Sequence, residues 1–116
     1  MSRKAYVPER GDAVWITLDP QAGHEQAGRR PALVLSPRAY NDRAGFALVC
    51  PISNQQKGYP FEVPVPRGCG ANGVIIADQL KSVDWRARHA DAMGSVGSQT
   101  LAHVLDLIEP LLFDGR

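Results

Sequence analysis

The sequence predicts a mainly β, α+β fold: a small twisted antiparallel sheet of about five to seven short strands, closing into a partial barrel, followed by one C-terminal helix. Two observations carry this. Short apolar and β-branched runs recur from residue 12 to residue 96, separated by breaks rich in Gly, Pro and Asn. Only the end of the chain has a helical period, with Leu101, Val104, Leu105 and Ile108 falling at i, i+3, i+4 and i+7. With 116 residues, 44% of them hydrophobic and 22% charged, residues 1–116 suffice for a single soluble domain with one core.

Taken in order, residues 1–10 read as a loose lead-in. Asp12 to Leu18 is β-branched and aromatic and reads as the first strand, stopped by Asp19-Pro20. A polar loop follows, and then a second strand, Ala32-Leu33-Val34-Leu35. Ser36-Pro37 resembles a helix N-cap with proline at the first helical position, which predicts a single turn through Tyr40. Asn41 to Gly45 turns into Phe46–Pro51, a short strand expected to be buried on both faces. Ile52 to Tyr59 is a second polar loop. Pro60 to Val65 alternates apolar with polar, but its prolines cannot donate ladder hydrogen bonds, so it reads as an edge strand. Gly68 to Gly73 is a turn into the buried strand Val74–Ala77. Ser82-Val83 and Met93–Val96 add short strands around the Trp85 segment. In the final helix Ser98 is the expected N-cap, and Pro110 should end or kink the helix near Glu109.

Net charge is only +1, so the chain as a whole is not a nonspecific polyanion binder. The charge is uneven, however. Arg29, Arg30, Arg38 and Arg43 face only Asp42 over residues 29–43, while Asp106, Glu109 and Asp114 make the C-terminal segment acidic. Such asymmetry fits a local basic site on a near-neutral body. Cys50 lies in an apolar run and Cys69 in a Gly-rich loop, neither with CxxC or Cys/His spacing, so no zinc site is expected. There is no apolar signal region and no run of membrane-spanning length, which predicts a cytoplasmic protein.

The chemically dense stretch is Gly23-His24-Glu25-Gln26-Ala27-Gly28-Arg29-Arg30-Pro31. It reads as a loop turning at Gly28, with Pro31 pushing Arg30 into an extended conformation just before the second strand. Glu25 can accept a proton, and the Arg30 guanidinium is a fixed cation whose fork matches a phosphate. A base beside a phosphate clamp, without a metal-ligand cluster, meets the needs of RNA cleavage by its own 2′-hydroxyl. A solvated polar turn is the plainer alternative.

A resemblance adds to this reading. Gly11-Asp12, Trp15, Asp19-Pro20, His24-Glu25-Gln26-Ala27-Gly28, Arg30-Pro31, Leu35-Ser36-Pro37 and Tyr40-Asn41 occur in the order and spacing of MazF-like toxins. Lys57-Gly58-Tyr59-Pro60-Phe61-Glu62, Ala77-Asp78-Gln79 and Trp85-Arg86-Ala87-Arg88 continue the match, over about residues 6–109. The chain resembles the MazF/PemK family of mRNA interferases, toxins of bacterial toxin–antitoxin pairs.

That resemblance implies an SH3-like barrel with a C-terminal helix, a homodimer, and metal-independent cleavage of single-stranded mRNA to a 2′,3′-cyclic phosphate and a 5′-hydroxyl. No cofactor is implied. The partner would be a cognate MazE-like antitoxin whose flexible acidic segment covers the RNA groove. Catalytic roles fall on Glu25 as base and Arg30 as phosphorane stabiliser. Ser53 stands where the family usually has threonine; it either touches phosphate or is a turn serine bonding its own backbone. His24 is a further candidate. In the Kid-like branch a histidine at this position works with an aspartate, matched by Asp78, and with an arginine that Ile76 replaces here, so the choice of base stays open between Glu25 and the His24/Asp78 pair. Arg29, Lys57 and Arg86 are candidate phosphate contacts, and Gln26, Asn54 and Gln79 could read base edges of single-stranded RNA. Trp15 and Trp85 are expected in the core, with base stacking as the alternative. His103 reads as a surface or packing residue. The rival function is a CcdB-like topoisomerase poison, which shares the barrel but acts by binding alone; an inactive RNA-binding relative is a third.

Overall fold

The structure, a computed structural model, describes residues 5–18 and 28–113. Among the described residues seven strands and two helices follow one another: β1 (Asp12–Thr17), β2 (Arg29–Val34), α1 (Arg38–Ala44), β3 (Ala47–Ser53), β4 (Glu62–Pro64), β5 (Val74–Ile76), β6 (Lys81–Val83), β7 (Asp91–Ser95) and α2 (Gly97–Leu112). All pairings are antiparallel, in the order β4-β5-β3-β2-β1-β7, with β6 also on β3. Among the described residues the sheet does not close. β4 and β7 are its two end strands, and β4 is the proline-containing run expected at an edge.

Both faces of the central strands are buried, which explains their nearly unbroken apolar runs. Ala13, Leu33, Cys50, Ile52 and Ile75 pack with Val104 and Ile108 of α2 on one side. Val14, Ile16, Ala32, Val34, Val49, Val83 and Trp85 pack on the other. Leu48 and Trp15 escape this double cover; Trp15, expected in the core, is 43% exposed, whereas Trp85 is 5% exposed. Trp85 donates its indole N–H to the Asn41 carbonyl at 2.8 Å.

Asn41 is a buried polar hub. Its amide nitrogen donates to the carbonyls of Pro8 and Ser36 at 2.8 and 2.9 Å, and the Ser36 hydroxyl donates to its Oδ1 at 2.6 Å. Ser36 Oγ also accepts the Leu48 N–H at 2.9 Å. Ser36 therefore does not cap α1: the N-cap is Pro37, without a side-chain bond, and the single turn expected through Tyr40 runs on to Ala44, where Gly45 ends it in the left-handed region. A serine committed to the core cannot also serve the helix end.

α2 holds two further departures. Its N-cap is Val96 rather than Ser98, and Pro110 lies inside the helix, which continues to Leu112. In a last turn proline forfeits a single ladder bond, and the Phe113 N–H still reaches the Glu109 carbonyl at 2.8 Å. His103 is exposed, as expected of a surface residue. Among the described residues no helix is long and apolar enough to cross a membrane.

Candidate functional site

Two prolines open the sheet where the site lies. Val49 pairs with both Val34 of β2 and Lys81 of β6, so β6 lies on the edge of β3 opposite β2. On that edge β6 ends its pairing at Val49 and β5 begins at Ile52, which leaves Pro51 in the gap, where its missing N–H costs no ladder bond. Pro31 pairs with Trp15 on one side, while β2 begins to pair with β3 only at Ala32. Arg30 thus lies within β2, opposite Ile16, rather than just before the strand. Pro31 and Pro51 line a cavity of about 520 Å³ together with Arg30, Ser53, Asn54 and Lys81. Gln79 lines it too, and it shares Ser53, Gln55 and Gln79 with a second cavity of about 670 Å³ that reaches Lys57, Tyr59 and Glu62. Together they form one groove with Arg30 and Lys81 at one end and Lys57 at the other.

Ser53 sits in the middle of that groove, at the end of β3. Gly73 holds its backbone: a Cβ at that residue, where φ is +107°, would collide with the Ser53 carbonyl. The Ser53 hydroxyl accepts the Gln55 N–H at 3.0 Å, the local bond of a turn serine. Its own hydrogen remains available to a phosphate oxygen.

The far wall is the loop from Asn54 to Phe61. Glu62 organises it by accepting the backbone N–H groups of Lys57 (2.9 Å to Oε2), Gly58 (3.0 Å to Oε1) and Tyr59 (3.2 Å to Oε1). A carboxylate beside an anion-binding groove would repel its ligand, but three amide dipoles absorb this charge. Tyr59 donates its hydroxyl to Asp78 Oδ2 at 2.7 Å, and that bond holds its phenol above the ordinary 10.0. The other oxygen of Asp78 is buried with no hydrogen-bond partner among the described residues. Ile76, where the Kid-like branch has arginine, is an apolar part of the same lining.

Arg30, Ser53, Asn54, Lys57 and Gln79 are therefore brought together. Arg29 and Arg86 are engaged elsewhere. Arg29 donates to the His89 carbonyl at 2.7 Å and to Asp91 at 2.9 Å. Arg86 lies over the Trp85 ring at 4.7 Å and reaches Asp42 at 3.3 Å. His24, Glu25 and Gln26 lie outside the described residues. Four polar groove residues were not singled out as site residues in the sequence: Gln55, Tyr59, Glu62 and Lys81. Lys81 could have been found from its spacing, since it stands two residues after Gln79 and so shares its side in extended chain.

Residues 9–112 match the family model of the PemK-like, MazF-like toxin of type II toxin–antitoxin systems. The endoribonuclease toxin MazF of Escherichia coli (strain K12) is 49% identical over 107 residues, covering 92% of this chain and 96% of that protein. The crystal structure of MazF (Form-I) from Deinococcus radiodurans superposes with a TM-score of 0.84 at 49% identity, covering 93% of this chain and 98% of that one. MazE–MazF (Form-II) from the same organism gives a TM-score of 0.86, at 49% identity, over 93% and 97% of the two chains.

Proposed function

The chain belongs to the PemK-like, MazF-like toxins of type II toxin–antitoxin systems, and from that membership and the groove we propose that it is an endoribonuclease toxin cleaving single-stranded mRNA by attack of the RNA's own 2′-hydroxyl. The observation that carries the chemistry is that Arg30, Ser53 and Lys81 line one cavity with the amides of Asn54 and Gln79. Cations and neutral hydrogen-bonding groups in that mixture suit a phosphodiester flanked by bases.

In the proposed reaction the Glu25 carboxylate takes the 2′-hydroxyl proton, and the freed oxygen attacks the adjacent phosphorus. Arg30 bonds the charged phosphorane, and Ser53 donates to another of its oxygens. The bond from phosphorus to the 5′-oxygen then breaks. His24, whose ordinary pKa lies near neutrality, supplies the proton that the leaving oxygen takes up. The products are a 2′,3′-cyclic phosphate and a 5′-hydroxyl, and no metal takes part. With mRNA as substrate, the site of action is the cytoplasm.

The partner is a cognate antitoxin of the MazE kind, as in the MazE–MazF complexes of Deinococcus radiodurans. A polar tail ordering along the groove would block it against RNA. The active form is a homodimer. Leu111, Leu112 and Phe113 are each at least half exposed at the end of α2, an apolar patch of the kind a second copy would cover. Because the relatives bear endoribonuclease names, the enzyme is favoured over the CcdB-like topoisomerase poison. Purified protein incubated with a long single-stranded RNA in EDTA should cut it, leaving cyclic phosphate ends. RNA that stays intact would overturn the proposal.

A further inference from the structure

Tyr59 presents an unusual combination. The residue is 46% exposed on the wall of the groove, yet it is held at three points. Its backbone N–H is held by Glu62, its hydroxyl by Asp78, and its ring stands 5.9 Å from that of Phe61. The Glu62 N–H returns the contact by bonding the Tyr59 carbonyl at 3.0 Å. Exposed aromatic surface is costly to leave in water, and a solvent-facing tyrosine ordinarily keeps its rotamer freedom. Here freedom is removed while the ring face stays open.

The neighbours indicate what the open face receives. Lys57 precedes it by two residues, and Ser53, Gln55 and Gln79 line the same cavity. A flat apolar face beside a cation and several amides is the combination that binds a single-stranded nucleotide: ring against base, cation against phosphate, amide against base edge.

We propose that Tyr59 is a base-stacking platform that binds one nucleobase flanking the scissile phosphate, and that Glu62 is the positioning residue that holds it there. The proposal rests on the endoribonuclease reading and adds a specificity-determining contact to it. Asp78 acts in the same direction: it anchors the phenol, so that the ring enters the groove already ordered.

The test uses the full-length protein and an RNA oligonucleotide spanning a cut site mapped on a long transcript, made uncleavable by a 2′-deoxy sugar at the cut nucleotide. A series replaces each base in turn by an abasic site. Tyr59→Ala should weaken binding of the complete oligonucleotide by roughly 5- to 150-fold, the range of one stacked base. The penalty should vanish for one abasic position and persist at the others. Tyr59→Phe should restore most of the affinity. Glu62→Ala should reproduce the Tyr59→Ala loss and add little to it in the double variant. A Tyr59→Ala penalty equal across the abasic series, or no penalty, would overturn the platform; fully additive losses would overturn the role of Glu62. Cleavage of the long transcript by the wild-type protein is followed in parallel, so a failure of the nuclease reading shows itself separately.

Discussion

The Arg29 guanidinium bridges to the Asp91 carboxylate at 2.9 Å, and in doing so ties the first residue of β2 to the first residue of β7. The same side chain donates to the carbonyls of Arg88 and His89 at 3.3 and 2.7 Å. Arg88 in turn donates to the carbonyls of Thr17 and Leu18 at 2.9 and 3.3 Å. Arg29, which the sequence offers as a phosphate contact, thus serves together with Arg88 as a cross-link between segments far apart in the chain.

Arg29→Ala should accordingly lower stability without lowering RNA affinity. The ion pair is largely solvent-exposed and contributes little, but the carbonyl bonds it accompanies bring the expected loss to about 1 kcal/mol, a fall in Tm of about 4 °C. Thermal unfolding and RNA binding measured on one preparation check this. Loss of affinity at unchanged Tm would return Arg29 to the groove.

Arg30→Ala should do the reverse. Arg30 is exposed, lines the cavity and has no resolved role in the core, so its removal leaves the fold intact. Cleavage should fall by about 100-fold or more, as when one preorganised donor to a developing negative charge is deleted. A variant that cuts RNA at near wild-type rate would remove Arg30 from the reaction.

These neighbours show how far the sequence could be read. Strand runs and the period of α2 were legible because burial repeats along the chain, and Pro60 and Pro64, before and within β4, announced an edge. Ser36 misled because a Ser-Pro pair looks the same whether the hydroxyl caps a helix or serves a buried amide such as Asn41. Trp15 misled because whether a strand face is covered depends on what packs there, which no local pattern records. At the site, Arg30, Ser53, Lys57 and Gln79 were identifiable by chemistry, but the partition of Arg29 from Arg30 follows from strand alternation plus a register set by β7.

Binding of uncleavable single-stranded RNA should weaken with salt. The cations that line the groove are Arg30, Lys57 and Lys81. At roughly 0.7 per neutralised phosphate for single strands, three contacts give a log–log slope of about −2. Titrations at several salt concentrations measure it, and Lys81→Ala should make the slope shallower by roughly 0.7. A slope near zero would exclude a phosphate-tracking groove.

The folded chain should lose stability in alkali. Burial pushes the Cys50 thiol from an ordinary 9.0 up to about 12, and burial together with the Asp12 bond raises the Tyr6 phenol as well. Both groups are neutral when protonated, and the folded pKa lies above the unfolded one. The unfolded chain therefore releases these protons first, so the stabilisation is complete below about pH 9 and declines as the pH rises toward 12. Denaturant midpoints between pH 8 and pH 10 should fall, and by less in Cys50→Ala, measured against that variant's own midpoint at pH 8. An identical fall in the variant would acquit Cys50.

The identity of the base separates two mechanisms. Asp78 accepts the Tyr59 hydroxyl through one oxygen, while its other is buried without a partner among the described residues. No arginine stands two residues before it, because Ile76 occupies that place. In the mechanism proposed above, a carboxylate so engaged orients the groove wall. Glu25 stands five residues before Arg30 in the sequence, and a carboxylate can accept a proton. Glu25→Gln should therefore lose most of the cleavage rate and keep RNA affinity. Asp78→Asn should retain a far larger share of the rate, because its amide oxygen can still accept the Tyr59 hydroxyl. Single-turnover rates for both variants on one short substrate decide the matter: a dead Asp78→Asn beside a live Glu25→Gln would hand the proton transfer to Asp78 and His24.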